Sequence, residues 1–162
     1  MPTIALVNGH SFAAGFMLAM YHDYRVQNPS RGFLCVNELE FGVALQTPMM
    51  AIFREKLVPA TCRDVVLGAK RWGGPEALEK GVVDAIGGLD ETVKLIRERG
   101  LQTKAATGIY GTMKEELYRG TLAFLDNDQG NLAWREQIDD NKDKLVEESK
   151  KAVDAWESKA KL

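Results

Sequence analysis

Apolar and polar positions alternate between two rhythms along this chain, and the first ninety residues carry the clearer signal. Ile4-Ala5-Leu6-Val7 is a short unbroken apolar run, rich in strand-forming side chains, and reads as a buried strand. Residues 14–22 are apolar nearly all round, which predicts a helix enclosed by protein on most sides. Asp23-Tyr24-Arg25-Val26-Gln27 reads as a second strand, closed by the turn signal Asn28-Pro29-Ser30. A third strand is expected over residues 31–36, delivering Asn37-Glu38-Leu39-Glu40-Phe41-Gly42 at its end.

Beyond this point the period becomes helical. Pro48 is suited to a first helical turn and predicts a helix to about Leu57. A further helix is expected over 60–67, stopped near Gly68, then a short capped one over 74–81 and a strand-like link over 82–86. Helices follow over 89–99, 111–125 and about 138–160. In the last of these Leu145, Val146, Ser149, Ala152, Val153 and Trp156 share one face at helical spacing, the rest being Lys, Glu and Asp. That face predicts docking against its own domain or a neighbouring subunit. The pattern divides the chain into an α/β part, 1–88, and a helical part, 89–162.

Composition narrows the function more than the fold. The chain has 162 residues, enough for a real core, with 45% hydrophobic and 27% charged residues. A net charge of −2 supplies no basic face for nucleic acid. No apolar run approaches the roughly 20 residues of a membrane span. Cys35 and Cys62 show no metal or redox spacing and are expected as buried free thiols. The two histidines form no cluster with carboxylates at ligand spacing, so no metal is expected.

The chemistry-bearing segment is Asn8-Gly9-His10-Ser11-Phe12-Ala13-Ala14-Gly15. A strand runs into a glycine turn, then into tiny residues at a helix entrance. Tiny residues allow a bulky group to approach the backbone, and the free N–H groups there can hold a developing negative charge. The same residues would also serve simple helix–strand packing, and alone they leave the two readings even. Glu38 is a candidate acid/base, but Glu40 would share its face if the segment stayed extended. Apolar Leu39 and Phe41 beside it favour the partial burial a general base needs. Phe12, Phe16, Phe33 and Leu45 are candidates for lining an apolar pocket, and Ala13 and Gly15 for close approach of a bound group. His10, Ser11 and Asp23 match no nucleophile elbow, and His10 is expected as a turn residue.

The run from Ile4 to Gly9, the triplet Ala13-Ala14-Gly15, Met20 and Asp23-Tyr24 together resemble the signature of the crotonase (enoyl-CoA hydratase/isomerase) family. The likeness continues through Gly32-Phe33, Asn37-Glu38, Gly42 and the segment from Gly68 to Asp84, with His22 departing where a small residue or cysteine is usual. The resemblance implies a ββα superhelix that binds an acyl-CoA thioester, of which residues 1–88 would be the C-terminal portion of the core and 89–162 a helical oligomerisation or lid region. By position it makes Ala14 an oxyanion-hole N–H donor and chooses Glu38 over Glu40 as the acid/base. Hydratases of the family use a second glutamate, and Met17 stands at that position. A single carboxylate implies a Δ3,Δ2-enoyl-CoA isomerase, as in the plant and fungal peroxisomal branch. A hydratase, another crotonase activity or a non-catalytic binding subunit are the alternatives. The resemblance also implies no cofactor, CoA being part of the substrate, and a homo-oligomer, trimer or hexamer. Family members carry further ββα elements upstream of such a strand, so an N-terminally shortened domain is expected. Ala160-Lys161-Leu162 resembles a peroxisomal address, which predicts an import receptor as partner and a peroxisomal location.

Overall fold

In the computed structural model, which describes residues 1–160, the apolar run becomes strand β1 (Ile4–Val7). It is followed by β2 (Ser11–Phe12), helix α1 (Ala14–Tyr21), β3 (Tyr24–Gln27) and β4 (Leu34–Cys35). A 3-10 turn, Glu38–Phe41, leads to helices α2 (Thr47–Lys56), α3 (Pro59–Val66) and α4 (Gly74–Glu79). Strand β5 (Ala85–Ile86) precedes α5 (Leu89–Glu98), α6 (Ile109–Leu117), α7 (Arg119–Asp126) and α8 (Asp128–Ala160). Compact packing extends from Met1 to Ala123, and a second unit begins at Phe124.

Two small parallel sheets organise the first unit. One has the order β1-β3-β5, with Ile4 beside Tyr24 and Val26 beside Ala85. The other pairs β2 with β4, Ser11 beside Leu34 and Phe12 beside Cys35. Parallel neighbours need a crossover element, and α1 provides it between β1 and β3. Its residues Phe16, Met17, Ala19 and Met20 are buried against Ile52 and Phe53 of α2, Val65 of α3, and Leu34, Trp72 and Val82. The enclosure expected for this helix holds on that side only, since Leu18 is 64% exposed.

Pairing of β2 with β4 was not expected from the pattern, and it shortens the third strand to two residues. Gly32 is the cause. It has φ +86, and a Cβ there would lie 2.1 Å from the carbonyl carbon of Gly9 and 2.4 Å from the nitrogen of His10. The two backbones cross in contact, so the ladder starts only beyond that crossing, where Ser11 N–H donates to the Phe33 carbonyl at 2.9 Å.

A polar cluster ties α6 to the β1–β3 pair. Asp23 accepts from the Thr3 amide at 2.7 Å and the Thr3 hydroxyl at 3.0 Å, and pairs with Lys114 at 2.7 Å. Burial by itself would raise this carboxyl, but the bonds from Lys114 and Thr3 outweigh it and hold the group below its usual range. Arg25, 5% exposed, donates to the Val82 carbonyl at 2.8 Å and pairs with Asp84 at 3.3 Å. The half-buried Lys56 ammonium lies over the Tyr118 ring, and burial with the nearby Arg25 charge lowers its pKa to about 8.

The helix expected over 111–125 is two. At Tyr118 the chain leaves helical geometry (φ −110, ψ 26). Beyond the break the Thr121 amide reaches Glu55 Oε1 of α2 at 3.2 Å, and Gly120 passes so close that a Cβ would sit 2.9 Å from that oxygen. Helix α8 in turn begins ten residues before the expected start. Asn127 caps it, its Oδ1 accepting the Gly130 amide at 3.1 Å. The expected docking face of α8 lies in the second unit, with Leu145 63% and Trp156 70% exposed.

Replacing Gly32 by alanine combines a disfavoured φ with a backbone clash that no rotamer relieves. We expect Gly32→Ala to cost about 3 kcal/mol or more, read as a fall in urea midpoint; an unchanged midpoint would show that the crossing loosens without penalty.

Candidate active site

Adjacent parallel strands end side by side, and in α/β proteins that end is where ligands bind. β2 and β4 are such a pair. β2 runs into Ala13 and the first turn of α1, while β4 runs through Val36 and Asn37 into the 3-10 turn that carries Glu38. Ala13 N–H donates to the Cys35 carbonyl at 2.9 Å, which fastens the helix entrance beside the strand leading to Glu38. The helix entrance and the carboxylate therefore leave the same end of one two-stranded ribbon.

Ala13 has φ 51 and ψ −125, a region that side chains other than glycine's rarely enter. Its flanks hold it there: its N–H is bound to Cys35 and its carbonyl accepts the Met17 amide at 3.1 Å. That reversal turns the chain so that Ala14 and Gly15 open α1 at the surface. N–H groups of a first helical turn have no intrahelical acceptor, and the helix dipole adds positive potential at the same place. Gly15 is restricted on one side, where a Cβ would meet Ser11 Oγ at 3.3 Å.

The 3-10 turn separates the two glutamates that an extended chain would have put on one face. Glu38 is half-buried, and its Oε2 is fully buried with no hydrogen-bond partner. Glu40 is exposed and pairs with Arg71 at 3.5 Å, a contact worth no more than about 1 kcal/mol. Arg71 belongs to the segment clamped onto β4 by mutual backbone bonds between Leu34 and Trp72, at 3.1 and 2.8 Å. Cys35 donates its thiol to the Ala69 carbonyl at 3.2 Å, and burial pushes that thiol above its usual pKa, so it is no nucleophile at neutral pH.

The remaining candidates are dispersed. Met17 is 4% exposed and Phe16 wholly buried, its ring meeting Phe53 edge-on at 5.1 Å, so Phe16 is spent on the core rather than on a pocket wall. Phe33 is 42% exposed but precedes β4, at the opposite end of the ribbon from Glu38, where its ring lies 5.8 Å from that of His10. Phe12 is half-buried in β2, also against His10, at 5.4 Å. Leu45, after the 3-10 turn, is partly buried against the core. His10 and Asp23 are engaged in separate places, His10 with Phe12 and Phe33, Asp23 with Thr3 and Lys114. Sequence reasoning passed over Asn37, whose Oδ1 is likewise buried without a partner. Its position before a helical turn was the available signal, since asparagine there ordinarily caps.

Among the described residues no group of three His, Cys, Asp or Glu side chains could hold a metal ion. A separate groove of about 400 Å3 lies by the start of β1, lined by Pro2, Ile4, Ile96 and Leu101 among others. The side chains of that lining are apolar, hydroxyl or amide and include no carboxylate or imidazole.

Known proteins resemble this chain in sequence and in fold. The family model described as enoyl-CoA hydratase/isomerase matches residues 1–160. Enoyl-CoA delta isomerase 1, peroxisomal, of Arabidopsis thaliana is 40% identical over 127 residues, covering 75% of this chain and 53% of that protein. Enoyl-CoA delta isomerase 3 of the same plant is 33% identical over 141 residues, 82% of this chain and 58% of the relative. The chain thus spans little more than half the length of the curated relatives it matches. Among solved structures, an enoyl-CoA hydratase/isomerase family protein from Pseudomonas syringae superposes with a TM-score of 0.70 at 21% identity, over 82% of this chain and 59% of that one. An enoyl-CoA hydratase from Mycobacterium marinum gives 0.66 at 24%, over 80% and 59%. These likenesses carry the fold. This chain belongs to the enoyl-CoA hydratase/isomerase, or crotonase, family.

Proposed function

We propose that the chain carries the acid/base half of a Δ3,Δ2-enoyl-CoA isomerase site. The Glu38 carboxylate takes a proton from C2 of a 3-enoyl-CoA, and the C2–H electrons pass into an enolate. The enolate oxygen rests on the Ala14 N–H, where charge that develops only in the transition state meets donors already in place. Glu38 returns the proton to C4 as the double bond moves between C2 and C3. No water is consumed and no cofactor is required. The observation that carries this reading is the pairing of one orphaned carboxylate oxygen on Glu38 with an apolar, core-packed Met17. Water addition in this family calls on a carboxylate at the Met17 position; double-bond transposition does not. The isomerase names borne by the plant relatives support the same choice.

Glu38→Gln should leave acyl-CoA binding within a few-fold and lower 3-enoyl-CoA turnover by about 100-fold or more, followed by absorbance of the conjugated product. An unaltered rate would place the base elsewhere. Met17→Glu tests the hydratase alternative. Burying an unpaired carboxylate in this core should cost about 3 kcal/mol or more and yield no water addition to 2-enoyl-CoA. A stable variant that hydrates its substrate would show that the two activities differ only by this side chain.

A peroxisomal setting is part of the proposal. It rests on the peroxisomal names of two relatives and on Ala160-Lys161-Leu162, of which Lys161 and Leu162 lie outside the described residues. A fluorescent protein fused before Met1 should gather in peroxisomes and disperse when extra residues are appended after Leu162. Dispersal of both forms would remove the address.

A further inference from the structure

Asn37 stands where an asparagine normally caps, at the residue before the 3-10 turn Glu38–Phe41, yet its side chain makes no capping bond. Its backbone is held at φ −102, ψ 12, the sparsely populated bridge region, while its carbonyl accepts the Glu40 amide at 3.0 Å. The Asn37 Oδ1 is instead buried, without a hydrogen-bond partner, as is Oε2 of the neighbouring Glu38. Cys35 and Val36, directly before them, are themselves at most 1% exposed. Two adjacent residues thus each keep one oxygen out of water with no donor from the protein. A buried acceptor left unmatched is costly, and where one persists it calls for an explanation, a catalytic role among them.

A carboxylate has no proton to donate, but the carboxylic acid formed midway through a proton shuttle has one. We propose that Asn37 is a positioning residue whose Oδ1 accepts the O–H of protonated Glu38, holding the proton taken from C2 on the enzyme until it is delivered to C4. The inference rests on Glu38 being the acid/base. In the first step the C2–H bond breaks, its electrons enter the enolate and the proton joins the carboxylate. In the second the O–H bond breaks, the C4–H bond forms from the dienolate electrons, and the carboxylate is restored. Asn37 exchanges no atoms. It fixes the neutral acid in one orientation and shields its proton from exchange with solvent.

The full chain, supplied with 3-enoyl-CoA deuterated at C2, reports this directly through the fraction of label recovered at C4. Asn37→Leu, close in shape but without the oxygen, should fold with an unchanged or raised melting temperature, keep KM within about twofold, and lower kcat about tenfold. Label at C4 should fall to a small fraction of the original value, and Asn37→Asp, which keeps an oxygen in place, should recover much of it. Should Asn37→Leu not fold, Asn37→Ala is held to the same expectation. If either folded variant keeps both the original kcat and the original label transfer, the role assigned to Asn37 is wrong. Glu38→Gln assayed alongside separates the two readings. Its retaining full turnover, or the unmodified chain showing none, overturns the shuttle itself and Asn37 with it. An inactive Glu38→Gln beside an unaffected Asn37→Leu overturns Asn37 alone.

Discussion

Contact between two backbones, Gly32 passing over Gly9 and His10 with no room for a Cβ, is the constraint on which the site depends. It brings the loop after β1 and the segment before β4 close enough for Ser11 and Phe12 to pair with Leu34 and Cys35. Because that pairing is parallel, the two chains leave it in the same direction. One enters α1 through the reversed geometry of Ala13, and the other enters the 3-10 turn that holds Glu38. An antiparallel pairing of the same residues would have sent them to opposite ends.

The core underneath keeps this arrangement rigid. Met17 and Phe16, in the first turns of α1, are buried among Phe53, Val65, Trp72 and Val82, so the helix entrance cannot tilt without opening packed apolar surface. Trp72 also links the segment carrying Arg71 to β4, through its backbone bonds to Leu34. Division of labour is then clear along α1. Its first two residues, Ala14 and Gly15, lie at the surface, and the side chains directly after them, Phe16 and Met17, belong to the interior. A glutamate at position 17 would have to be accommodated within that interior.

Much of this was legible in the residues. β1 and the start of α1 fall where the apolar runs place them, and α2 to α5 lie within one or two residues of expectation. Strong periodicity and proline or glycine at the ends made these elements readable. The misplaced ones share a different cause. β2 has only two residues and no apolar pattern of its own, since it exists because β4 lies beside it. The break at Tyr118 follows from the contact of Thr121 with Glu55, sixty-six residues away. The early start of α8 was written in Asn127, but Gly130 two residues beyond Asp128 masks that signal in a propensity reading.

Family and fold class were thus determined by the sequence itself, because motif spacing and hydrophobic period are local properties. Which glutamate turns inward was not. Positions 38 and 40 are equivalent in an extended strand, and only the 3-10 turn sends Glu40 to Arg71 at the surface while Glu38 buries an oxygen. Nor does any local pattern reveal that Asn37 forgoes its cap, or that Phe16 and Phe33, both aromatic and near the motif, lie in the core and at the far end of the ribbon. Burial and direction arise from contacts between segments distant in the chain, so tertiary structure decided them.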